Sequence, residues 1–159
     1  MVWLQIVPRN LMADKIQDPV VGFKYGLEVS GKLTGYFTSV SGIGSETEVI
    51  TQKVVSEKGE PIIKQIPGRL TWNPITLRRG VTDLKDVWDW RQMVVDGKIE
   101  DARTNASIIA YSQSMEPVAQ WDLENAWPSQ ISGPEMASDS TDYMVEEITI
   151  VHEGMVRKK

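Results

Sequence analysis

Several residue groups in this sequence are of types that do chemistry, and each lacks the partners that the chemistry needs. His152, the one histidine, stands in His152-Glu153-Gly154 and could act as a general base oriented by a carboxylate. No Gly-x-Ser-x-Gly nucleophile elbow occurs for it to activate, so it reads as a hydrogen-bonded strand end before a glycine turn. Glu46 and Glu48 fall on one strand face and could form a carboxylate pair for glycosidic hydrolysis. Acids two apart on a strand read more simply as a solvated face. Glu146 and Glu147 point to opposite faces and cannot act together locally. Asp83, Asp86 and Asp89 run along one side of a helix without the alternating oxygen ligands and glycine of a calcium loop. Ser41-Gly42-Ile43-Gly44 holds the one Gly-x-Gly, but it joins strand to strand with no Walker lysine, which makes it a turn.

Composition narrows the field further. The chain has 159 residues, no cysteine, and 17 Lys+Arg against 22 Asp+Glu, for a net charge of −5. There is no disulfide, thiol nucleophile or Cys-ligated metal, and one histidine supports neither a multi-histidine site nor an HExxH helix. A pI near 4.9 argues against a duplex-DNA binder. No stretch reaches the roughly 18 apolar residues of a membrane span. The expectation is a non-enzyme with no catalytic residue, metal or cofactor, assembled in the cytoplasm. Met1 to Pro8 is apolar but lacks the basic start and small-residue cleavage site of a secretory signal. Met12-Ala13-Asp14-Lys15 would itself make a start, so residues 1–11 read as either a mis-called start or a docking arm.

The elements that would position these groups are mostly strands. Apolar residues alternate at Val21, Phe23, Tyr25, Leu27 and Val29, up to the turn Ser30-Gly31-Lys32. Leu33 to Val40 follows, and then a long hairpin from Glu46 to Val55 and Ile62 to Ile66 around Ser56–Pro61. Arg69 to Arg79 reads as one strand with a bulge or edge at Pro74. Later strands are Ala106–Ser112, Val118–Ala126 and Met144–His152, with Pro128–Asp142 as a long loop. One helix, about 83–96, breaks the pattern: Leu84, Val87, Trp88, Val94 and Val95 form its stripe, Thr82 its N-cap and Gly97 its C′ residue. Trp88 is expected in the core, with Trp88→Ala costing about 3–5 kcal/mol, and Trp72 and Trp121 pack along strands. The hairpin's open edges are a hazard unless another subunit pairs with or covers them, and a chain supplying both surfaces head-to-tail builds a ring or a filament.

Read in order, these features form a pattern. Asp18-Pro19 precedes Phe23, and Phe37-Thr38-Ser39-Val40-Ser41-Gly42 precedes Glu46. Then come Pro67-Gly68-Arg69, Ile75-Thr76-Leu77-Arg78-Arg79-Gly80-Val81, and Trp88-Asp89-Trp90 with Gly97. Asn125-Ala126-Trp127-Pro128, Ser132-Gly133-Pro134 and His152-Glu153-Gly154 complete it. From about Asp18 to Gly154 the chain resembles the tail tube proteins of contractile-tailed phages and the inner tube proteins of extracellular contractile injection systems.

That resemblance implies a mainly β, Hcp-like fold: two packed antiparallel sheets forming a β-barrel or sandwich, with one flanking helix (about 83–96) and a long protruding hairpin (about 46–66). Residues 1–17 would be an N-terminal extension and 18–159 the single tube domain. It implies homo-hexameric rings stacked into a tube, partnered by sheath and baseplate proteins. Cargo or DNA would pass the lumen without specific binding, and the subunit itself would not insert stably into a membrane. A ring of six would carry about −30 charges. Glu46, Glu48, Val54, Val55, Lys58, Gly59, Pro61 and Ile63 would form the ring-stacking hairpin. Gly42, Pro67, Gly68, Arg79, Gly80, Trp88, Trp90, Trp127, His152 and Gly154 would be structural, with Arg78-Arg79-Gly80 turning into the helix that Trp88 and Trp90 anchor. The hairpin carries Gln52-Lys53-Val54-Val55 where the family usually has Gly and Tyr, and the stretch before Asp18 is longer than typical. The repeating tube subunit is the favoured role, with a baseplate ring that initiates the tube as the alternative. A monomeric β-barrel ligand-binding module is the reading from a different class.

Overall fold

Alternation of side chains decides the inner face of nearly every strand. In the computed structural model, which describes residues 24–135, 137–139 and 144–159, the elements run β1 (Lys24–Val29), β2 (Lys32–Phe37), β3 (Ser39–Ser41), β4 (Ser45–Val55), β5 (Pro61–Trp72) and β6 (Ile75–Gly80). They continue as α1 (Asp86–Val95), α2 (Ile99–Ala102), β7 (Thr104–Tyr111), β8 (Pro117–Ser132), β9 (Val145–Val151) and β10 (Gly154–Arg157). The expected start of the first strand at Val21, the Asp18-Pro19 motif, the 1–17 extension and the Met12 start lie outside the described residues. Leu27, Ile75, Leu77, Ile108, Leu123, Ile148 and Ile150 point inward at every second position and form one buried core with Phe37, Val87 and Trp90.

Two antiparallel sheets enclose that core, in the sandwich form of the expectation. One pairs β2, β1, β7, the first half of β8, and β10; the other pairs the second half of β8 with β9, β6 and β3. β8 therefore belongs to both sheets, meeting β7 over Pro117–Ala126 and β9 over Trp127–Ser132. At its bend Asn125 takes a left-handed conformation (φ 49°), which asparagine tolerates better than most residues. On the opposite side β2 and β3 are separated only by Thr38, whose amide donates to the Arg78 carbonyl, so that chain too passes from one sheet to the other.

Four boundaries differ from the sequence reading. Pro128 does not open a loop: β8 continues through it to Ser132, with the missing N–H accommodated by a register shift opposite Ile150. Pro74, with Asn73, splits the expected Arg69–Arg79 strand into the end of β5 and the whole of β6. Arg78-Arg79-Gly80 lies in β6 and is not a turn. The hairpin is longer than 46–66, because Pro67-Gly68 sits inside it. There Gly68 and Arg69 oppose the single residue Glu48, a bulge that keeps the ladder running down to Ser45 opposite Trp72.

Helix α1 is shorter than expected and rotated about its axis. It begins at Asp86 behind Lys85, which makes no side-chain cap; Thr82 Oγ1 instead accepts the Leu84 amide at 3.3 Å. Its C-terminus closes as anticipated at Gly97: the Gly97 amide donates to the Val94 carbonyl and the Lys98 amide to the Met93 carbonyl, the paired bonds of a Schellman motif. The buried positions are Val87 and Trp90 with Val94 packed beside them, while Leu84 and Val95 face out. Trp88 is 39% exposed, so the core tryptophan of the helix is Trp90 (5%), whose Nε1 donates to the Ala102 carbonyl of the short α2. The additional helix α2, over Ile99–Ala102, had no counterpart in the sequence reading.

Two hairpin turns share one geometry. In Ser56–Glu60 the Gly59 amide returns to the Ser56 carbonyl and the Ser56 amide reaches the Glu60 carbonyl; Ser112–Glu116 repeats both bonds with Met115 in the place of Gly59. Gly59 takes φ 80° and Met115 φ 63°, a region that strains a side-chain-bearing residue. Met115→Gly is accordingly expected to raise stability by about 0.5–1 kcal/mol in urea unfolding. Trp90→Ala is expected to cost about 3–5 kcal/mol and Trp88→Ala less than half of that, measured the same way; equal losses would return Trp88 to the core.

Candidate functional site

The residues that could have done chemistry stand apart from one another. His152 follows β9 with its Nδ1 3.1 Å from the Gly154 carbonyl and its ring 5.6 Å from that of Trp72, centre to centre. Its Nε2 is buried without a hydrogen-bond partner. Glu153 does not orient it, accepting instead from Asn125 Nδ2 at 2.7 Å. Glu46 and Glu48 are exposed at the root of the hairpin, and Asp83, Asp86 and Asp89 are exposed around the start of α1. Among the described residues no three His, Asp or Glu side chains gather as metal ligands, and no helix is long and apolar enough to cross a membrane.

One buried polar junction is built with care. β6 pairs with β9 so that Arg78 lies opposite Glu147 and Arg79 opposite Glu146. Because neighbours on a strand face opposite ways, the first pair points to solvent and the second into the sandwich, where both side chains are about 95% buried. Arg79 Nε donates to Glu146 Oε1, and its Nη2 donates to the Leu84 carbonyl at 3.1 Å. Trp88 Nε1 donates to the other Glu146 oxygen at 2.8 Å. The guanidinium lies 5.1 Å from the Phe37 ring centre, and a Cβ on Gly35 would fall 2.5 Å from Arg79 Nη1, so only glycine fits there. Trp88 thus anchors α1 by a hydrogen bond at the rim of the core. Arg91 Nη1 adds a bond to the Pro128 carbonyl of β8.

The remaining family-motif positions cluster at corners. Gly42 takes φ 85° between β3 and β4, and any Cβ there would lie 2.1 Å from the Pro74 carbonyl oxygen. Gly80 ends β6 opposite Val145, Trp127 begins the second half of β8 opposite Val151, and Gly154 opens β10 against Glu124. Gly26 on the outer side of β1 accommodates the Tyr111 ring. Partial burial, with Tyr36 and Glu28 adding to it, holds that phenol's pKa above its ordinary 10.0.

The hairpin has no buried residue on either strand. Among the described residues β4 and β5 form a two-stranded sheet that pairs with no other strand. One face presents Ile50, Gln52 and Val54 beside Ile66, Lys64 and Ile62; the other presents Val49, Thr51, Lys53 and Val55 beside Pro67, Gln65, Ile63 and Pro61. Val55 is 71% exposed, Ile63 61% and Val49 60%. A lone two-stranded hairpin is at best marginally stable in water, and apolar side chains on both of its faces need cover from outside. The expected stacking residues Glu46, Glu48, Val54, Val55, Pro61 and Ile63 lie on these strands and Lys58 and Gly59 in the tip. Sequence reasoning missed Ile50, Ile62 and Leu70, exposed apolar residues of the same ribbon that its alternation could have disclosed.

Comparison with known proteins agrees with this architecture. The profile of the T4-like virus tail tube protein gp19 family matches residues 21–156. No curated protein sequence matches. Among solved structures, the chain is similar to one in the sheath–tube complex of the extracellular contractile injection system PVC in its extended state: 23% identity, 90% of this chain and 93% of that chain covered, TM-score 0.70. A chain of the anti-feeding prophage tube-terminating cap matches at 22% identity, covering 94% and 98%, with TM-score 0.71. Hcp1 from Flavobacterium johnsoniae shares the fold at 12% identity, covering 86% and 95%, with TM-score 0.51.

The buried pair makes a sharp prediction. Glu146→Ala leaves the Arg79 cation without its partner and is expected to cost about 3–5 kcal/mol in urea unfolding. Arg79→Met with Glu146→Leu is expected to cost far less than the two single changes summed, because no buried charge is then left unpaired.

Proposed function

The chain belongs to the T4-like virus tail tube protein gp19 family, and from that premise we propose that it is the repeating subunit of the inner tube of a contractile injection particle. It has the Hcp-like fold. Six copies close into a ring, rings stack coaxially, and the β4–β5 hairpin of each subunit crosses to the next ring. A sheath surrounds the tube, a baseplate holds one end, and cargo or DNA passes through the lumen without specific recognition. The subunit acts by shape and contact and catalyses nothing; assembly takes place in the cytoplasm. Within this reading residues 18–159 are the tube domain and residues 1–17 an extension.

The observation that carries this reading is the exposed hairpin, whose two faces both present apolar side chains and which pairs with no other strand among the described residues. A partner strand or surface from an identical copy satisfies it head-to-tail, and that arrangement propagates. The geometry supports structural roles for motif residues: Gly42 permits a close backbone approach, and Arg79, Trp88 and Trp90 hold the helix. The baseplate-ring role differs in that stacking stops after one ring.

Light scattering and negative-stain microscopy of the purified protein test the proposal. Rings and long tubes are the expected products. Particles that stay near the 17.9 kDa of one chain would instead indicate a monomeric binding module, and rings that never elongate would indicate the baseplate role. Deleting Val55–Pro61 is expected to leave a folded subunit or ring and abolish tubes. Tubes of normal length from that deletion would take the stacking role away from the hairpin.

A further inference from the structure

A groove lies between the start of α1 and the β1–β2 turn. It encloses about 290 Å³ and is lined by Val29, Leu33, Trp90 and Met93, with Asp86 and Asp89 along the helix side and Lys32 and Thr34 across from them. Leu33 is 42% exposed and Met93 39%, so apolar surface is open to solvent there. The two aspartates stand in the first turn of α1, are exposed, and make none of the salt bridges found among the described residues.

The outer part of the hairpin has complementary chemistry. On the face formed by Val49, Thr51, Lys53 and Val55 with Pro61, Ile63, Gln65 and Pro67, five positions are apolar, one is a lysine, and none is acidic. Lys53 stands directly opposite Ile63, between the exposed Val55 and Val49. An apolar strand face carrying a single central cation matches an apolar trough with two carboxylates on its helix side, and Lys32 on the far rim leaves that side of the trough net negative. Among the described residues β4 and β5 pair only with each other, so the match is one between copies.

We propose that the Val49–Val55/Pro61–Pro67 face of one subunit's hairpin seats in the α1/β1–β2 groove of a second copy, with Val55 and Ile63 against Leu33, Trp90 and Met93 and the Lys53 ammonium between the carboxylates of Asp86 and Asp89. This rests on the stacking role proposed above and names the surface that receives the hairpin. Burial of the apolar residues supplies the attraction, and the charge contact fixes the register and rejects a slipped docking.

Charge exchange tests it. Asp86→Lys with Asp89→Lys is expected to leave folded rings but no tubes by negative stain, and adding Lys53→Glu is expected to restore tubes. Normal tubes from the double variant, or no rescue by the third change, overturn the groove assignment while wild-type tubes leave the tube reading standing. Wild-type protein that stays monomeric overturns both. The absence of native cysteine permits a second measurement that survives any folding defect of the charge variants. A Lys53→Cys, Asp89→Cys protein is expected to give a ladder of disulfide-linked multimers on mild oxidation of assembled tubes. Monomer alone on a denaturing, non-reducing gel, from tubes that do form, rejects the contact.

Discussion

The buried pairing of Arg79 with Glu146 is the constraint on which the architecture turns. A guanidinium and a carboxylate taken out of water are tolerable only when their hydrogen-bonding capacity is met. Here that demand recruits three other elements: the Leu84 carbonyl ahead of α1, the Trp88 indole on α1, and the Phe37 ring on β2. Moving any one of them leaves an unsatisfied buried group. The pair thereby converts a generic sandwich, whose apolar layers could slide, into one with a fixed helix position. Its glycine neighbour, Gly35, is the steric counterpart of the same requirement.

With the helix so fixed, the molecule divides into two regimes. The sandwich encloses a fully buried aliphatic core, whereas the hairpin has no buried residue along β4 or β5. The ribbon nonetheless grows from the core without interruption of the chain path: β3 leads through Gly42 into β4, and β5 leads through Pro74 into β6. The root of the hairpin is held by the Asn73 amide on the Gly44 carbonyl and by Trp72 against His152. The root is thus tied to the sandwich, and the exposed tip is not.

The inward alternation of β1, β6, β7 and β9 was legible because one face of each strand is buried, and period two then leaves its mark on the residues. The long hairpin was legible too, and its root was misjudged because Pro67-Gly68 signals termination locally, while the bulge opposite Glu48 tolerates both. Pro128 misled in the same manner, since a missing donor costs little at a register shift. The choice of Trp88 over Trp90 came from a helical template that counts apolar residues alone; a carboxylate from a strand 58 residues away, Glu146, draws Trp88 to the rim. That ion pair was written in the sequence as an Arg-Arg doublet and a Glu-Glu doublet on strands of alternating face, but only the pairing of β6 with β9 sets them opposite one another. The hairpin's protrusion was read from its open edges and from the resemblance, because alternation reports only that one face is covered and neither face of β4–β5 is buried.

Strand β8 bears on how the subunit responds to load. Its 16 residues form a single backbone of roughly 50 Å contour that serves the first sheet with one half and the second with the other. Thrust applied to either layer therefore travels to its companion along covalent bonds and a hydrogen-bonded ladder, and does not depend on friction between greasy faces. In engineering terms the two plates share a spar, so shear between them must stretch or bend that spar at Asn125 before the layers can slip. With the second crossing at Thr38, the two layers are tied covalently on both sides of the apolar filling.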